Sequence, residues 1–457
     1  MKIDYIFYYI IIILLTLSSS ISNDKYIEKI IYFPIKLNFN AYFIDIYIGN
    51  PYQKLLLALD QELQVTWADT IHYNRLLSQT LREINKTKLS FRHVNLYGNT
   101  ISDQITFINT LDNFDSDFNI NNAKNISIDD FWFVVIEQSR GYDSRVGGIG
   151  LAYKFVYEEY SLIHYLKKNN YINFLSYGFI PPSLIINKNN QNNNNTSLYK
   201  DGLIFFGGLP KNYILNKYRY NCKLTEKYNF WSCNLPYILF GKINSSSNAN
   251  NTLFYENNNY AYFNGAERRI LAPEDFMLFL KHNYFENEIN NRICTYYLYG
   301  FNPVFECICD VKNTFPNITF IFDNYQYKFT SEELFSYYGN GNCLFLIQGN
   351  HLRKNNFIFG VPFLNKFISN FDYETKYITF YSEKQIEKIN LDKFLGKKRN
   401  NKYIIGILII IVFVGVLMYI RKKRRDRQYK KNLLIVKNKG KNKIKKMNDE
   451  EDGFELK

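Results

Sequence analysis

Residues 47–70, YIGNPYQKLLLALDQELQVTWADT, limit the fold more than any other stretch of the chain. The apolar run 55–59 leads straight into Asp60, and Trp67, one of 3 tryptophans, follows seven residues later. A hydrophobic strand that ends on a carboxylate delivers a charge from a packed core to the floor of a cleft, which is how many enzymes place an acid. From residue 39 to 381 short apolar runs are broken by Asn, Gly, Asp and Pro, the pattern of a mainly β protein. Helical periodicity is rare, and clearest over residues 160–168 and 273–282.

Gly49, Pro51, Gln53, Asp60 and Trp67 fall in register with the opening of a pepsin-like aspartic protease, and the stretch resembles that family. Residues 147–153 (GGIGLAY), 201–210 (DGLIFFGGLP), 228–243 around Trp231, and 357–381 resemble further family blocks in the family's order, with Val361 where an Asp is usual. The resemblance implies a mainly β, bilobal pepsin-like aspartic protease fold, with an N-terminal lobe over 39–215 and a C-terminal lobe over 216–385.

The chain departs from the family where the chemistry lies. Gln61, Glu62 and Leu63 stand where the family has Thr, Gly and Ser after its first catalytic Asp. In residues 261–273, AYFNGAERRILAP, the register puts Asn264 at the second catalytic Asp, with Gly265, Ala266 and Glu267 for Thr, Gly and Thr. Two carboxylates held close share one proton and so act as base toward a water and acid toward a peptide. An amide at Asn264 hydrogen-bonds that water but neither takes nor gives a proton. Glu267, three residues along the loop, is the side chain that could replace the missing carboxylate beside Asp60 or Glu62.

The resemblance places the substrate-clamping flap in residues 90–103, with Phe91 at the position of the family's tyrosine and Tyr97 as the competing choice. It also pairs Cys309 with Cys343; Cys222 with Cys233, and Cys294 with Cys307, then complete the set of 6 cysteines. Ligand spacing and the scarcity of His speak against zinc, and no metal or cofactor is expected. The Asn-rich inserts 187–195 and 244–259 read as disordered surface loops. Sequons at Asn85, Asn125, Asn194, Asn195, Asn244, Asn250 and Asn317 suit a lumenal domain.

The ends of the chain read as targeting segments. Residues 1–22 carry Lys2, an apolar stretch and then serines, the form of a signal peptide, and 23–38 form a short leader. After a linker over 386–402, residues 403–420 are uninterruptedly apolar and long enough to form a transmembrane helix; a basic run follows at once. The expected product is a single-pass type I membrane protein of the secretory pathway or cell surface, its ectodomain lumenal or extracellular. The cytoplasmic tail, 421–457, holds 15 Lys and Arg against 6 Asp and Glu, hence +9 of the formal +14. The basic charge is therefore largely a property of the tail, and it implies no nucleic-acid partner.

Together these features describe a catalytically inactive pseudoprotease whose ectodomain binds a protein or peptide ligand. The alternative is an active aspartic endopeptidase with an atypical site centred on Asp60.

Overall fold

The computed structural model describes residues 29–38, 41–91, 94–109, 124–139, 147–155, 158–182, 185, 202–225, 229–241, 253–299, 302–350, 356–389, 413–425 and 427. The signal-peptide segment 1–22, residues 403–412 of the expected span, residues 428–457 of the tail and the insert 187–195 lie outside them. The chain divides into two units, Met1–Ile389 and Asn390–Lys457. In the second, residues 413–425 are helical; no helix among the described residues is long and apolar enough to cross a membrane.

The first unit is built on sheets. Strand Gln53–Asp60 shows why the sequence folds this way. Leu55, Leu57 and Leu59 enter the main core, while Ala58 on the opposite face packs with Ala41, Phe43 and Ala266 in a smaller cluster. Asp60 therefore ends a strand buried on both faces, which only an apolar run can form.

Around Gln53–Asp60 the pairing is parallel to Gly147–Gly150, which is antiparallel to Trp67–Asp69, which is parallel to Lys124–Ser139. The same sequence of pairings recurs in the second half of the chain. Leu253–Phe263 is parallel to Phe357–Phe359, which is antiparallel to Ile270–Ala272, which is parallel to Ile347–Gly349. The two halves thus repeat one motif, in an eight-stranded and a seven-stranded sheet. A six-stranded sheet takes strands from both halves, in the order Ile31–Pro34, Leu203–Phe206, Ser176–Ile180, Ile368–Asp372, Tyr377–Ser382 and Tyr218–Lys223. A four-stranded sheet, Cys294–Tyr299, Asn302–Ile308, Asn342–Phe345 and Phe335–Gly339, belongs to the second half alone.

The disulfides are Cys222–Cys233, Cys294–Cys307 and Cys309–Cys343, as expected. The two helical segments are present. Leu162–Lys168 buries Leu162, Ile163, Tyr165 and Leu166, with Lys167 and Lys168 complementing its C-terminal dipole. Glu274–Leu280 starts after Pro273, buries Phe276, Met277 and Leu280, and runs on through a wider turn into Glu286–Asn290.

Two expectations are corrected. Residues 253–259 are not loop but the start of strand Leu253–Phe263, paired with Ser232–Phe240. That long partner strand overrides the poor strand propensity of Asn257, Asn258 and Asn259. The leader segment also holds two strands, Ile31–Pro34 on Leu203–Phe206 and Lys36–Asn38 on Ala41–Ile48.

Candidate active site

The repeated motif brings two positions 204 residues apart into contact. Asp60 ends one strand and Asn264 directly follows another, and both side chains are 0% exposed. Asn264 Nδ2 donates to Asp60 Oδ1 at 3.0 Å. Its Oδ1 accepts the backbone N–H of Ala266 at 3.0 Å and of Gln61 at 3.3 Å. Only this orientation of the amide works: reversed, it would set its NH2 against two N–H donors and its carbonyl against a carboxylate. Asp60 Oδ1 also accepts the Glu62 N–H at 2.9 Å, the counterpart of the Ala266 bond two residues past Asn264.

Gln61 supplies a further crossing. Its Oε1 accepts the Gly265 N–H at 2.5 Å, and Gly265 in turn passes its carbonyl to the Tyr42 N–H at 2.8 Å. A Cβ at Gly265 would stand 3.0 Å from the Tyr42 ring and 3.2 Å from the Leu59 carbonyl, so a larger residue would push the two halves apart. The Tyr42 hydroxyl reaches Asn365 Oδ1 at 2.5 Å, and burial pushes its pKa up. Beneath the pair, the Leu151 N–H donates to the Asp60 carbonyl at 2.9 Å, while the Leu151 carbonyl accepts from Trp231 Nε1 at 2.8 Å and Tyr177 Oη at 3.1 Å. The glycine-rich turn is thereby wedged against the end of the Asp60 strand.

The remaining singled-out residues fall as follows. Glu62 is buried, and Leu63 packs with Val65, Trp67, Val134, Ile136 and Tyr160. Glu267 Oε1 accepts the N–H of Arg268 at 3.1 Å. The flap stretch forms a hairpin of Arg82–Phe91 and Val94–Asn109, with Phe91 opposite Val94 at its tip and Tyr97 opposite Lys88. The side chains of Phe91 and Tyr97 lie outside the described residues. Gly98 is needed there because a Cβ would collide with the Val135 carbonyl.

No family model matches the chain, and no curated relative does. Among solved structures it is similar to the aspartic proteinase from Irpex lacteus, with a TM-score of 0.55 and 12% identity over 77% of this chain and 97% of that one. The fold is that of a pepsin-like aspartic proteinase. At the junction of the repeated motifs the two facing polar groups are thus a buried carboxylate, Asp60, and a buried amide, Asn264. The carboxamide reproduces the shape of a singly protonated carboxyl pair, with the hydrogen fixed on Asn264 and pointing at Asp60. It cannot pass that hydrogen on. Sequence reasoning missed Gln61 and Tyr42 as bridging residues; the only signal was Gly265, whose lack of a side chain admits both.

Proposed function

We propose that the chain is a membrane-anchored pseudoprotease, a pepsin-like ectodomain that binds a protein or peptide without cutting it. The observation that carries this reading is the direct 3.0 Å bond from Asn264 to Asp60, between two side chains with no exposed surface. Hydrolysis needs a water touching both groups and a proton that moves between them. Here the amide bonds Asp60 directly and holds its hydrogens permanently, so no proton moves between the two groups. Loss of one acid–base partner typically costs a factor of about 100 to 10,000, roughly 3 to 5 kcal/mol of barrier. Three disulfides support an oxidising, secretory compartment for the ectodomain. The apolar run 403–420 and the basic run after it support a single-pass anchor with the tail in the cytoplasm.

The deciding experiment is peptide cleavage by the purified full chain in detergent, across pH 3 to 7, with Asp60→Ala as control. We expect no cleavage by either protein. Cleavage that vanishes in the mutant would establish an active endopeptidase and turn attention to Glu267 as the partner of Asp60.

A further inference from the structure

The four-stranded sheet of the second half presents an exposed face rich in tyrosine. Two of the three disulfides staple it. Tyr299 is 59% and Tyr338 63% exposed, and Tyr338 lies close enough to Tyr297 to influence its hydroxyl. The carboxylate on this face, Glu306, is already satisfied by neutral donors, Tyr297 Oη at 3.0 Å and Asn342 Nδ2 at 2.9 Å.

At the border of the face stands Arg269, five residues past Asn264. Its guanidinium lies 5.7 Å from the centre of the Tyr299 ring, and its Nη1 donates to the neutral Gln348 Oε1 at 2.6 Å. Burial lowers its pKa and Arg268 adds to that shift, while Tyr299, Glu267 and Tyr297 oppose it; its Nη1 hydrogen bond is to a neutral acceptor. A half-buried guanidinium has lost much of its water, and its fork of N–H donors fits a carboxylate bidentately. Rigid tyrosines around such a group give contact area at little cost in side-chain entropy.

We propose that this face, Tyr297, Tyr299 and Tyr338 with Arg269 at its border, docks an acidic extended segment of a partner protein whose carboxylate takes the Arg269 guanidinium. The proposal rests on reading the ectodomain as a protein- or peptide-binding one, and names the chemistry of what it binds.

The test uses the full chain in detergent and two fluorescein-labelled twelve-residue peptides, one alternating Glu with Val and one with Gln in place of every Glu. Fluorescence anisotropy should show the Glu peptide binding at least about tenfold more tightly, less so at high salt. Arg269→Gln and Tyr299→Ser should each remove that preference, and Arg269→Lys should keep part of it. Equal binding of both peptides, binding of neither, or a preference that survives Arg269→Gln overturns the proposal. Should Arg269→Gln fail to fold, Tyr299→Ser decides alone, since that side chain is largely exposed. Mass spectrometry of the same mixtures separates the two ideas. A cleaved peptide sinks the inactive reading and leaves docking standing, whereas uncleaved peptides without a preference sink docking alone.

Discussion

Asn264 Nδ2 and Asp60 Oδ1 meet at 3.0 Å with no exposed surface on either residue, so an amide, not a proton, joins the two halves of the pepsin-like fold at its centre. Asn264→Ala removes three hydrogen bonds at once and should cost about 3 kcal/mol, read as a lowered urea midpoint. Asn264→Asp is more informative. Two carboxylates this close keep one proton between them, whereas the unfolded chain gives it up above about pH 4. The folded variant then binds more protons than the unfolded one, so its stability falls as pH rises from about 4 to 7. The difference between variant and parent should follow that slope; a pH-independent difference would show that the site is wetter than the structure has it.

Tyr42→Phe deletes the hydroxyl that reaches Asn365, a half-buried acceptor. The expected loss is about 1 to 2 kcal/mol with no change in peptide binding, measured by urea unfolding beside anisotropy.

His164 gives the first unit a pH dependence of its own. Burial lowers its pKa, Glu158 opposes that shift and Lys167 adds to it, and the ring sits among Ser161, Phe155 and Tyr373. The folded state therefore binds fewer protons than the unfolded chain near pH 6. Its contribution to stability is present above the ordinary value of 6.5 and is lost as pH falls through the lowered one. His164→Gln should flatten the fall in melting temperature between pH 7 and 5; an unchanged slope would count against it.

The cross-links should not be equal. Cys309–Cys343 closes a separation of 34 residues, against 13 for Cys294–Cys307 and 11 for Cys222–Cys233. On loop entropy, replacing the first pair by Ser should cost about 4 kcal/mol and either of the others about 3. Denaturant midpoints of the three double mutants test the order.

Much of the fold was legible because its signals are local. The run 55–59 entering Asp60, the glycines of 147–150 and the Pro273 start of a helix each follow from a few neighbouring residues. Asn264 was singled out by register alone. What stayed hidden depends on partners far along the chain. The strand over 253–259 exists because Ser232–Phe240 is there to pair with it, and Asn-rich sequence does not announce that. Gln61 looked like a bulky misfit for Thr, yet it bridges to Gly265, a contact that only the closed molecule reveals. Arg269 likewise gains its meaning from Tyr299 and Gln348, which only the folded chain brings to it.

The shared six-stranded sheet also sets a timetable for synthesis. Strand Ser176–Ile180 sits between Leu203–Phe206 and Ile368–Asp372, and that last strand needs Tyr377–Ser382 on its other side. A nascent chain that has completed only its first half therefore emerges with one side of Ser176–Ile180 uncovered, some 190 residues before its neighbour follows. Chaperone attendance during that interval is a demand written into the strand order, and it would persist if every side chain of the polar centre were changed.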